Sequence, residues 1–66
     1  MDNIVNIITF SNEEVVLKIY NHLIEQGYET VEYQHDEESN MYHITCELYE
    51  VTDVRRDILL FIDNNL

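Results

Sequence analysis

A capped amphipathic helix set between two stretches of strand character most narrows the fold open to this chain. Ser11-Asn12-Glu13-Glu14 has the form of a capping box, the Ser11 hydroxyl on the Glu14 amide and the Glu14 carboxylate reaching back. Behind it Val15, Val16, Ile19, Tyr20, Leu23 and Ile24 recur at helical spacing and make one apolar stripe. Gly27 supplies a left-handed residue to end the helix. Residues 3–10 are mostly β-branched or aromatic, and their nearly continuous apolar run predicts a strand partly covered on both faces. Residues 28–35 alternate, with Val31 and Tyr33 inward and Thr30, Glu32 and Gln34 outward.

Residues 36–40 are all polar and predict a turn. Residues 41–51 then alternate as a third strand, with Tyr42, Ile44, Cys46 and Leu48 on one side. His43, Thr45, Glu47 and Tyr49 take the other. Thr52 is placed to cap a second helix, with Asp53 at its positive end. Val54, Ile58, Phe61 and Ile62 form its stripe, which Leu59 and Leu60 widen beyond what one sheet needs. The order β-α-β-β-α predicts an α+β two-layer sandwich, a three-stranded, mainly antiparallel sheet with two helices on one face. This is a ferredoxin-like fold without its last strand. The other sheet face is expected to carry Val5, Ile7, Glu32, His43, Glu47 and Tyr49.

The 66 residues suffice for a single acidic domain, 1–66, burying about 60% of the surface its unfolded form exposes. Cys46 is the only cysteine, so stability must come from helix–sheet packing or self-association. Proline is absent and glycine occurs once, which leaves no linker. No apolar run approaches the roughly 18 residues of a membrane span. Met1-Asp2-Asn3 lacks the positive start of a signal peptide, and the lone thiol fits a reducing compartment, so a cytoplasmic setting is expected.

Charge narrows the function. Fourteen acids face three basic residues, and residues 19–54 contain no Lys or Arg. Such a field repels DNA, RNA and anionic membrane and attracts a basic groove. Residues i and i+2 of a strand lie about 6.7 Å apart on one face, comparable to the spacing of successive phosphates. Glu47 with Glu29 or Glu32, continued by Asp36, Glu37 and Glu38 at the hairpin tip, is expected to present a phosphate-like row, with Glu50 adding charge. Tyr20, Tyr33 and Tyr42 fit the core side. Tyr49, between Glu47 and Glu50, is the interface anchor, because tyrosine joins apolar area to a polar tip.

Chemistry is poorly served by comparison. His35 and His43 flank one turn, but His43 and Cys46 fall on opposite sides of a regular strand, which disfavours a metal site. Cys46 reads as a small core residue. No glycine-rich phosphate loop or nucleophile elbow occurs. No cofactor, metal or catalytic residue is expected.

The strand ending at Phe10, Ser11-Asn12-Glu13-Glu14, Leu23 with Gly27-Tyr28 and the strand at Val31 resemble the ribonuclease E inhibitor B family. The resemblance extends over the hairpin and the helix of residues 51–62. It implies a small acidic α+β protein that binds and inhibits an RNA-degrading enzyme. In size and charge the chain is also similar to phage anti-CRISPR and anti-restriction proteins and to nuclease immunity proteins.

The expectation is a non-enzymatic inhibitor on the basic surface of a nuclease, an RNA-guided effector or a transcription protein. Nucleic-acid mimicry or a steric block would exclude the substrate. Glu29, Glu32, Asp36, Glu37, Glu38, Glu47 and Glu50 carry the charge, and Tyr49 the packing. The alternative is a homo-oligomeric structural or ligand-sensing domain whose acidity serves solubility. A homodimer through Leu59, Leu60 or the Val5/Ile7 face is compatible with either.

Overall fold

The computed structural model describes residues 3–65; Met1, Asp2 and Leu66, and with them part of the expected N-terminal reading, lie outside it. The elements are β1 (Ile4–Phe10), α1 (Glu13–Glu25), β2 (Glu32–Asp36), β3 (Met41–Glu47) and α2 (Val51–Asn65). A single 3-10 turn, Leu48–Glu50, joins β3 to α2. The sheet order is β1-β3-β2 with both pairings antiparallel, so β1 and β2 run parallel with β3 between them. This is the expected α+β sandwich.

The core forms where the helical stripes meet the inward residues of β3. Val16, Ile19 and Leu23 of α1 are fully buried, as are Ile44 and Cys46 of β3 and Val54 of α2. Burying a side chain the size of Ile19 or Leu23 stabilises by about 1.5–3 kcal/mol, so these positions carry the fold.

The apolar run of β1 has a different cause from the one expected. Asn6 pairs with Thr45 and Ile8 with Ile44, so one extra residue, a β-bulge, interrupts the register at Ile7. The bulge shifts the alternation by one residue. Val5 lies opposite Cys46, Ile8 opposite Ile44 and Phe10 opposite Tyr42, while Ile7 also packs on the core. Val5 and Ile7 therefore leave the outer face, and Ile4, Asn6 and Thr9 occupy it.

Three further boundaries differ. Asn12, not Ser11, caps α1: its Oδ1 accepts from the Val15 amide at 3.3 Å, and Asn12 itself is extended. β2 begins at Glu32, because residues 28–31 form a loop whose amides bond to Glu50. β3 ends at Glu47, after which the chain coils at once, so Thr52 sits inside α2 rather than capping it. Gly27 ends α1 as expected, with φ +91°. Asn40, at φ 56°, closes the β2–β3 turn.

Candidate functional site

Residues directly opposite one another in an antiparallel pair share a face. The face away from the helices therefore has one row of Asn6, Thr45 and Glu32 and another of Thr9, His43 and Gln34. The second row is tied to the first. The Asn6 amide donates to Thr9 Oγ1 at 3.0 Å, and His43 Nδ1 lies 2.8 Å from Thr9 Oγ1 and 3.2 Å from Asn6 Nδ2. Between Asn6 and Glu32, Thr45 is only 6% exposed, and its hydroxyl has no partner among the described residues.

The acids separate into two groups rather than one row. Glu47 stands at one end of β3 and the hairpin tip at the other, about 20 Å apart at a strand's rise per residue. Uncharged Gln34 and the imidazole of His43 lie between them. At the tip, Glu37 and Glu38 are exposed, but Asp36 is engaged locally. It accepts from Ser39 Oγ at 3.0 Å and from the Glu38 amide at 3.1 Å, and these bonds hold its carboxyl below its ordinary value.

The second group surrounds Tyr49. Ending β3 at Glu47 turns Leu48 and Tyr49 outward, leaving them 59% and 67% exposed. Leu48 stays attached to the sheet through its amide, which donates to Asn3 O at 2.8 Å. Asn3, Glu47, Leu48 and Tyr49 line an open groove of about 360 Å³, with exposed Ile4 opposite Glu47 on the sheet. Partial burial, and then the charges of Glu50, Glu29 and Glu47, which are near enough to act on the Tyr49 phenol, push it above the ordinary value. The result is an aromatic and aliphatic patch inside an acidic rim.

Glu50 has a second role that its sequence position does not reveal. Its carboxylate accepts from the Thr30 amide at 3.0 Å, the Glu29 amide at 3.2 Å and the Thr30 hydroxyl. Thr30 Oγ1 in turn accepts from the Glu47 amide at 3.0 Å. Partial burial works to raise the Glu50 pKa, but these bonds outweigh it and hold the carboxyl below its ordinary value. Glu50 is thus an internal strut as well as part of the rim. Glu29 and Glu32 are exposed, and Glu47 half-buried.

The remaining candidates fall elsewhere. His35 and His43 point to opposite faces, since His35 lies opposite Tyr42 and stacks on it at 4.3 Å. The two imidazoles that flank the turn therefore do not meet. On the helix side Tyr33 stacks on Tyr42 at 6.1 Å, Tyr20 lies tilted by 45° against Tyr33, and the Tyr33 hydroxyl donates to Glu13 at 2.9 Å. Cys46 is buried in the core, and among the described residues no three His, Cys, Asp or Glu side chains converge on a point.

The helices contribute one polar cluster. The Tyr28 hydroxyl donates to Asp57 Oδ2 at 2.8 Å, and His22 Nε2 lies 3.4 Å from Asp57 Oδ1. Burial, then the Asp57 bond and nearby acids, push the Tyr28 phenol up to about 12. A phenol so reluctant to ionise, with its proton already committed to a carboxylate, is a poor nucleophile at neutral pH. The cluster instead ties the loop after α1 to α2.

No described helix is long and apolar enough to cross a membrane. No known protein family matches the chain, and neither does any curated protein or solved structure.

Proposed function

We propose that this protein is a non-enzymatic inhibitor that docks its Tyr49 corner on the basic, nucleic-acid-binding surface of a nuclease, an RNA-guided effector or a transcription protein. The observation that carries the reading is the exposed Tyr49 ring inside the acidic rim of Glu29, Glu47 and Glu50, beside Leu48 and Ile4. An Arg or Lys of a nucleic-acid channel placed over that ring gains a cation–π contact of about 0.5–2 kcal/mol and charge pairs with the rim together. Apolar area alone would fit any partner; acids around it select a basic one and speed encounter. Glu32 and the tip acids Glu37 and Glu38 extend the field without touching this groove. With two separated acidic groups, steric block at the corner fits better than a continuous phosphate-like row. Such a partner and the single buried thiol suit a cytoplasmic setting.

The test is displacement. A basic nucleic-acid-binding protein recovered on the immobilised chain is expected to release a labelled oligonucleotide when the chain is added. Tyr49→Ala and Glu47→Lys are each expected to abolish the release. Ternary complexes that keep the oligonucleotide bound, or unaltered release by both variants, would reject the reading.

A further inference from the structure

Strand β1 is an edge of the sheet, with β3 on one side and, among the described residues, no strand on the other. In an antiparallel pair only alternate residues turn both backbone groups toward the neighbour, so the rest of β1 presents N–H and C=O groups outward. Proteins usually blunt such an edge with lysine, proline or other charge. β1 has none of these: residues 3–12 contain no Asp, Glu, Lys, Arg, His or Pro. Its one blunting feature is the bulge at mid-strand, which adds twist. The other edge is unlike it, because β2 carries Glu32 and Asp36 and leads into Glu37 and Glu38. A basic strand would be drawn to β2. On a chain of net charge −11, β1 is where a neutral strand approaches at least cost.

Helix α2 supplies an independent observation. It packs on β1 and β3, whereas α1 packs on all three strands. Asp57 and Phe61 mark its flank toward α1, Asp57 at 3.4 Å from His22 and Phe61 stacked on that imidazole at 4.6 Å. At about 100° per residue, Leu59 falls on the opposite flank, the one on the side of the β1 edge. Leu59 is 63% exposed there, although it lies in the middle of the helix.

We infer that two copies of this chain join through their β1 edges, antiparallel, into one continuous sheet, with Leu59 of each copy closing over the seam. Antiparallel pairing of identical strands places the two-fold axis perpendicular to the sheet, so the helices of both copies share one side. The arrangement also answers the charge problem. The β2 edges and their acidic tips lie at the two far margins, and the strands that meet carry no charge. It does not depend on the Tyr49 corner.

Sedimentation equilibrium of the full chain at physiological salt, from micromolar to millimolar concentration, tests it. The mass is expected to rise from 8.0 kDa toward twice that value. Asn6→Lys on the edge and Leu59→Lys on the helix, both at exposed positions, are each expected to weaken association at least about tenfold. Each lysine lowers the net negative charge, so weakening by these variants cannot be ascribed to greater overall repulsion between the two acidic bodies. Far-UV circular dichroism verifies that they fold. Amide exchange of the unaltered chain gives a readout free of substitutions: exchange across β1 is expected to slow as concentration rises. A chain that stays at 8.0 kDa throughout, including one whose edge is filled only by a strand from another protein, overturns the inference. So does a dimer indifferent to both lysines, or β1 exchange independent of concentration.

Discussion

Glu50 holds Thr30 at two points, accepting from its amide at 3.0 Å and from its hydroxyl, and so fixes the loop before β2 to the turn before α2. The same hydroxyl accepts from the Glu47 amide, which binds the end of β3 into the joint. Glu47 and Glu50 therefore differ in kind although they stand three residues apart. Glu50→Ala leaves two amides and a hydroxyl without an acceptor, and is expected to cost about 1–3 kcal/mol of stability. Glu37→Lys and Glu38→Lys remove no hydrogen bond and are expected to stay within about 0.5 kcal/mol. Urea denaturation of the variants checks the contrast.

Acid should expose the same joint. The folded-state pKa of Glu50 lies below its ordinary value of 4.5. Its contribution is thus fully present above about 4.5 and is lost as pH falls through the lower folded value. Asp36, held down by Ser39 and Glu38 from an ordinary 3.8, acts in the same direction. The stability difference between the unaltered chain and Glu50→Gln is expected to shrink as pH descends below about 4.5. Parallel curves for the two proteins would remove Glu50 from the account.

Much of this fold was legible because local signals agreed with the tertiary result. The stripe Val16, Ile19 and Leu23 ended by Gly27, and the alternation of Ile44 and Cys46, placed α1 and the part of β3 before Leu48. What escaped has identifiable causes. A bulge changes register without changing composition, so Val5 and Ile7 looked outward when they face the core. Ser11 and Asn12 are both good caps, and spacing alone favoured the wrong one. Glu50 accepts from residues twenty or so positions earlier, a link no local pattern carries. Ending β3 at Glu47 is what turned Leu48 outward beside Tyr49. Of the site itself, Tyr49 with Glu29 and Glu47 was visible as composition, and the groove was not.

Tyr28 and Tyr33 should govern behaviour in alkali. Burial first, and then bonds to Asp57 and Glu13, push both phenols up to about 12 from an ordinary 10.0. A pKa raised on folding gives stability that is complete below 10.0 and lost as pH rises through about 12. Absorbance titration of tyrosinate is expected to show a late phase that coincides with loss of helical signal. Tyr28→Phe should remove part of that phase. If all five tyrosines ionise in one step near 10 with the fold intact, the Tyr28–Asp57 link is not formed in solution.

Thr45 offers a gain rather than a loss. Its hydroxyl is buried on the central strand without a partner among the described residues, and such a group costs about 1–3 kcal/mol. Valine has nearly the same shape, no hydroxyl, and a strong preference for strands. Thr45→Val is therefore expected to stabilise the domain by about 1 kcal/mol, which moves the melting temperature of a domain this size up by roughly 4–8 °C. A variant that melts lower would mean that the hydroxyl is satisfied by bound water.

Monovalent salt should raise the melting temperature of the unaltered domain. A net charge of −11 is confined within a radius of gyration of 11.3 Å, and the expanded chain spreads the same charge more thinly. Salt shortens the screening length from about 30 Å at 0.01 M to about 10 Å at 0.1 M, the scale of the domain itself. Little attraction is lost in exchange. Among the described residues the one Lys or Arg ion pair joins Lys18 to Glu14 at 3.9 Å on the exposed side of α1, and such a pair contributes about 0.3–0.5 kcal/mol. The repulsive contribution is larger, so added sodium chloride at fixed pH is expected to stabilise. Replacing it with the same ionic strength of a divalent salt separates screening from binding. Equal melts for the two salts mean screening alone, and a melt that falls with sodium chloride would show that the acids are paired by something salt displaces.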